Sequence, residues 1–253
     1  MRKTSLPPAL FAAIVVASAA LPSRSARAED APGIASDASL APLLAGLARH
    51  AEQFEQMKKR GSYTLSGRLE QLDRSGNVDG TKEMVLRVTA TPAKRLTEVI
   101  KYIEDGTDKT SEARLKEEKR KAEPPKPADK RPMSDIHLPF LASEQPRYVF
   151  SIVGRDLQRS QTRVAFQARV PAEDAYNGSA WVDDSTGEIL TLGISPTKNP
   201  TFIDHIGVTI RFDLQTPLGR APSSFTVDAQ GGFLVVHKHY RGTATLSDPK
   251  IAF

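Results

Sequence analysis

His237 and His239 stand two residues apart. In a strand that spacing turns both imidazoles to one face, and with a third ligand such as His205 the set would suit tetrahedral zinc. A pair lying on a sheet surface needs no third ligand and is the simpler reading, so no metal and no cofactor are expected. The run from Asp73 to Gly80 spaces its acids like a calcium loop. However, Val78 occupies the sixth position, where glycine must turn the chain, and Met84 the twelfth, where a bidentate glutamate belongs. Ser195 and Lys198 have the Ser-x-x-Lys spacing of acyl-enzymes, but Pro196 follows a strand pattern and the companion Ser-Asp-Asn and Lys-Thr-Gly elements are missing. Asp183 and Asp184 are adjacent acids within a tight turn, where their side chains shape the backbone. The chain also lacks Gly-x-Ser-x-Gly, a phosphate-binding glycine loop and His-Glu-x-x-His. These residues assemble no catalytic constellation, and the expectation is a protein that is not an enzyme.

The elements that would position any site are clearer. Ser179–Asp183, a turn through Asp184–Gly187, and Glu188–Ile194 read as a hairpin carrying Trp181, the only tryptophan. Upstream, Ser36 or Asp37 can cap a helix, and Leu40, Leu43, Leu44, Leu47, Ala51 and Phe54 recur at three- and four-residue spacing. Lys58 to Arg60 suit the negative end of that helix and Gly61 can stop it, giving an amphipathic helix of about 20 residues. Alternating strands follow over Tyr63–Leu69, Met84–Ala90 and Arg95–Glu104, with a turn at Asp73–Gly80. Ser111–Asp135 breaks the pattern. It reads as a charged, solvated helix ended by Pro124 to Pro127 and an extended linker, a surface insertion in the sheet domain. His137–Leu141 is a short apolar return. A second series runs through Tyr148–Ile152, Val164–Val170, the Trp181 hairpin, Val208–Leu214, Phe225–Val227, Leu234–Tyr240 and a last short strand within Thr243–Phe253. About ten strands with short connections should pair antiparallel, and so large a sheet must curl, its concave side filled by the helix.

The ends and composition set the compartment. Arg2 and Lys3 precede the apolar run Leu10–Leu21, and Ala26-Arg27-Ala28 fits the small-x-small cleavage rule. Residues 1–28 are therefore expected to be a cleaved signal, with 29–253 one domain, and the location to be the periplasm. The chain has no cysteine, so disulfides and thiolate chemistry are excluded. Its formal charge of +5 is partly a property of the signal. Without Arg2, Lys3, Arg24 and Arg27, 31 basic residues face 30 acidic ones, a balance that argues against nucleic acid as a partner.

In this order of elements the chain resembles the LolA-like periplasmic lipoprotein-sorting carriers. The likeness is carried by signal, amphipathic helix and antiparallel strands in sequence, by Thr64–Glu70 directly after the helix, and by Ala180–Leu190, which is similar to the Trp-x-Asp-x-x-Thr-Gly-x-Ile turn of such proteins. The resemblance implies an unclosed β-barrel with a helix over an apolar cavity. It implies binding of acyl chains of a lipoprotein or lipid, transfer between envelope membranes, and partner proteins in the inner and outer membranes. A monomer is expected. By alternation the cavity candidates are Leu65, Leu69, Val164, Phe166, Val208, Ile210 and Phe212 from the strands, with Leu43, Leu47 and Phe54 from the helix. The same residues could simply form a core. Two other readings stay open: an envelope sensor or scaffold of this fold that binds a protein or lipid signal, and an outer-membrane β-barrel. An aromatic fraction of 6% is poor material for the girdles of a membrane barrel, and Pro249 would spoil its final strand.

Overall fold

Period-two alternation becomes one sheet. In a computed structural model of the protein, residues 39–91, 95–122, 137–201, 203–233 and 236–250 are described. The expected signal, the leader before Ser39, the Ser36/Asp37 cap and the proline run 124–127 lie outside them. Helix α1 spans Leu40–Lys59 and is followed by β1 (Gly61–Leu72), β2 (Val78–Ala90), β3 (Arg95–Glu104) and β4 (Thr107–Asp108). Helix α2 (Thr110–Ala122) comes next, then a 3₁₀ turn at Gln145–Arg147. The second half contains β5 (Tyr148–Asp156), β6 (Gln161–Ala168), β7 (Tyr176–Asp183), β8 (Ile189–Pro196) and β9 (Ile203–Arg211). It ends with β10 (Leu214–Thr216), β11 (Gly219–Ala221), β12 (Ser224–Phe233) and β13 (Val236–Lys250).

Eleven strands form a single sheet in the order β4-β3-β2-β1-β13-β12-β9-β8-β7-β6-β5, and β10 and β11 form a separate hairpin. Every pairing is antiparallel. The sheet is not closed: β4 and β5 are its edges, and the chain crosses from one edge to the other between Asp108 and Tyr148. The charged segment from Ser111 belongs to that crossing. Where a short final strand was expected, residues 236–250 form one continuous strand that pairs with β1 on one side and β12 on the other. The expected turn at Asp73–Gly80 is shorter. The Asp73 carboxylate accepts the backbone N–H groups of Ser75 and Asn77, both at 2.8 Å, and β2 begins at Val78.

Bulges bend the sheet. Register shifts interrupt six pairings: β1–β13, β1–β2, β2–β3, β5–β6, β7–β8 and β9–β12. Each extra residue increases local twist and curls the ribbon. The inner face carries Leu65, Leu69, Met84, Leu86, Val88, Val164, Phe166, Val182, Leu192, Val208, Ile210 and Val227, all buried. The outer face carries charge. Arg68 bridges Glu70 and Glu83, and Arg241 reaches Glu70 at 2.8 Å. A membrane barrel needs the reverse, a closed sheet with an apolar outer band.

Gly178 on β7 faces Phe166 and Ile194 across the ladder. A Cβ there would overlap the Gly193 carbonyl and lie 2.9 Å from the Phe166 ring. Gly178→Ala should therefore cost roughly 1–3 kcal/mol, the range for overpacking a filled interior. Urea unfolding measures it, and an unchanged midpoint would contradict this packing.

Candidate functional site

The apolar stripe of α1 lies against the concave face. Leu47 and Ala51 are fully buried, and His50, one turn beyond Leu47, is 1% exposed. All ten residues singled out by alternation meet in one cluster. Leu47, Leu65, Leu69, Val164, Phe166, Val208, Ile210 and Phe212 are buried members, while Leu43 and Phe54 are partly buried against them. Phe212, just after β9, is the contact between helix and sheet. Its ring meets His50 edge-on at 5.5 Å and Phe54 at 5.9 Å, pairings worth about 0.5–1.5 kcal/mol each beyond burial. A second aromatic group lies under the other end of the sheet. Phe140, fully buried, meets Phe166 edge-on at 5.2 Å, and Tyr148 joins both Phe166 and Phe150. The short apolar return at His137–Leu141 thus contributes a core residue.

Polar contacts tie the helix to two turns. The Ile189 backbone N–H donates to His50 Nδ1 at 2.9 Å, and His50 Nε2 donates to the Arg220 carbonyl at 2.7 Å. Because Nδ1 accepts, the ring is held as the neutral tautomer with its proton on Nε2. A second proton would set two donors against each other. Beside it, Glu188 accepts the Arg220 backbone N–H at 3.0 Å and holds the Arg220 guanidinium in an ion pair at 3.3 Å. Gly46 allows the close approach. A Cβ on it would sit 2.9 Å from the Cα of Gly187, which itself adopts a φ of 74° in the β7–β8 turn. Farther along α1, Met57 Sδ lies 3.5 Å from the Thr216 hydroxyl of the β10–β11 hairpin, which donates its proton to the Gly219 carbonyl at 2.7 Å. Toward its N-terminal end, the Gln145 side chain donates to the Leu44 carbonyl at 3.2 Å and to that of Phe140 at 2.9 Å.

His50, Gly46, Phe140 and the Glu188–Arg220 pair were not among the sequence candidates. His50 had a signal: it falls three residues after Leu47, inside the apolar stripe, where a polar residue must find partners. Gly46 sits mid-helix, a costly place for glycine unless another backbone comes close.

The residues with metal or catalytic spacing lie elsewhere. His205, Gln230 and His239 are register neighbours across β9, β12 and β13. His239 Nε2 sits 2.6 Å from Asp228, and His205 and His237 are exposed. A polar cleft of about 300 Å³ beside them is lined by Asp73, Asp204, Gln230, His237 and His239 among others. Among the described residues, no three His, Asp or Glu side chains converge as a metal site. Asp183 shapes its turn by accepting the backbone N–H groups of Ser185 at 2.9 Å and Thr186 at 3.2 Å.

No family model and no curated protein matches the chain. Solved structures that resemble it include a LolA superfamily protein from Nitrosomonas europaea, the family the sequence resembles. That alignment covers 83% of this chain and 94% of that one at 7% identity, with a TM-score of 0.36. A DUF1329 family protein from Desulfovibrio piger aligns over 83% of this chain and 93% of its own at 11% identity and a TM-score of 0.40. Pseudomonas aeruginosa MucB in its complex with MucA aligns over 81% and 94% at 12% identity and a TM-score of 0.25. Such distant likeness carries no function to this chain.

Burial lowers the pKa of His50 from 6.5; the charge of Arg220 adds to this, while the Arg220 carbonyl and the charge of Glu188 oppose it. The unfolded chain therefore binds the proton more readily than the folded one. Stability should be complete above about pH 6.5 and decline as the pH falls below it. His50→Gln offers a donor and an acceptor but no titration, so its stability should change less over pH 7.5 to 5. Unfolding free energies in urea across that range check this; parallel curves for the two proteins would contradict it.

Proposed function

We propose that this protein is a periplasmic carrier that holds acyl chains of a lipoprotein or lipid between α1 and the concave face of the sheet and moves them between envelope membranes. One observation carries the reading. Most of the apolar side of an unclosed eleven-stranded sheet is covered by α1, with Leu138 and Phe140 beneath β5 and β6, and the helix is attached through apolar side chains and a few polar bonds. Such a cover can lift as a unit while the sheet keeps its ladder.

The energetics support it. A methylene gains about 0.8 kcal/mol on leaving water, so a chain of about 14 methylenes gains roughly 11 kcal/mol in an apolar site. Each neutral hydrogen bond lost when the helix lifts costs only about 0.5–1.5 kcal/mol net. The guest would replace helix–sheet contacts with its own, lined by Leu43, Leu47 and Phe54 above and by Leu65, Leu69, Val164, Phe166, Val208, Ile210 and Phe212 below. Eight of these ten are buried, so a guest could reach them only if the helix moves off the sheet. Residues 1–28 would direct export and 29–253 form the carrier domain, working as a monomer with membrane partners on either side. No catalytic step is assigned to it.

A covalent lock tests the reading. The chain has no cysteine, and the Met57 and Thr216 side chains already touch. Met57→Cys/Thr216→Cys should take up a fluorescent fatty acid when reduced and lose at least tenfold in affinity when oxidised. Equal uptake in the two states, with the disulfide verified by mass, would contradict a lifting helix.

A further inference from the structure

His50 makes the seating of α1 depend on a proton. Both its ring nitrogens are engaged, in opposite roles, by segments outside the helix. Nδ1 accepts the Ile189 N–H at 2.9 Å, and Nε2 donates to the Arg220 carbonyl at 2.7 Å. A neutral imidazole offers one donor and one acceptor and satisfies both partners, whereas an imidazolium offers two donors. One of them would point at the Ile189 N–H. The ring is 1% exposed and packs edge-on against the fully buried Phe212, so water cannot supply an acceptor while the helix is seated.

The charges around the ring are already committed. From the packed elements, Glu188 and Arg220 act on it, and they hold each other in an ion pair at 3.3 Å. Glu188 also accepts the Arg220 backbone N–H at 3.0 Å. Asp183, in the same β7–β8 turn, is engaged by Ser185 and Thr186. On α1 itself Arg49 and Glu52 are exposed, and Gln53, which reaches beside Gly219, is neutral.

We propose that acidification unlatches α1 from the segments at Ile189 and Arg220, so that uptake of an acyl chain and uptake of a proton by His50 favour each other. A lifted helix puts the imidazole in water, where either protonation state finds partners; the seated helix fits only the neutral ring. The coupling is reciprocal, since proton and guest select the same lifted form. Burial holds the seated ring below its ordinary value of 6.5. Once lifted, the ring titrates near 6.5, so each pH unit below that favours the lifted form by up to about tenfold, and a pH above it has little effect. The guest half of the inference rests on the carrier reading; the latch does not.

The test separates the two. Amide exchange of the exported protein is followed at pH 7.5 and 5.5 and corrected for intrinsic rates. Residues 47–56 of α1 should exchange ahead of β1 and β13 at both pH values, the mark of local lifting rather than global unfolding. Their protection should fall about three- to tenfold at pH 5.5, and less than about twofold in His50→Gln. Affinity for a pyrene-labelled long-chain alcohol, a probe without a titrating group, should rise by the same factor in the wild type and stay level in the variant. In the wild type alone, binding of this alcohol at pH 6 should draw protons from the buffer, read from binding enthalpies in two buffers of different ionisation heat. Equal protection of α1 and the strands, an unchanged α1, or the same loss in His50→Gln would overturn the latch. Alcohol binding without proton uptake would overturn the linkage. The expected exchange pattern with no alcohol bound at either pH would support the latch and contradict the carrier reading.

Discussion

An open sheet with one greasy side has to be covered. That constraint organises the whole molecule. Eleven antiparallel strands put their apolar alternate residues on one face, bulges curl that face inward, and the two edges never meet. A closed barrel would hide the face with its own strands. Here α1 covers most of it and Leu138 and Phe140 cover the β5–β6 end, and much of what is distinctive about the site follows from how the helix is attached.

The attachment is narrow and specific. Gly46 lets the backbone of α1 touch the β7–β8 turn, and His50 reaches two turns at once with opposite hydrogen-bond roles on its two nitrogens. Phe212 fills the space beneath, packed on His50 and Phe54. Helix position, imidazole protonation and the placing of both turns are therefore one coupled arrangement. The helix is held by apolar packing against the sheet together with a small number of polar contacts.

Much of this was legible in the sequence because it is local. The helix period gave α1 nearly to its ends, and Arg95–Glu104 and the hairpin around Trp181 were readable from alternation and turn chemistry. The ten apolar candidates do converge, since period two decides which face each residue takes. What escaped was non-local or polar. Nothing within β1 or β13 announces that they are neighbours, because the pairing joins residues such as Leu65 and Leu246. The three-residue strands β10 and β11 are too short to show a period. His50 stood in the apolar stripe as an apparent flaw, and its role exists only once the partners at Ile189 and Arg220 have been brought to it. The charged helix after Thr110 gave no sign that Arg114 would cap the carbonyls of β3.

The central claim is that the covered face accepts a guest. It is tested most directly by expressing the full chain in a bacterial envelope, purifying the exported protein without detergent, and identifying bound lipids by extraction and mass spectrometry. Delipidated protein is then titrated with a fluorescent fatty acid. The expected result is an acyl lipid in near-stoichiometric amount and saturable uptake of the probe. Protein that carries no lipid and takes up no probe, while folded by circular dichroism, would contradict the account and leave the buried residues as an ordinary core.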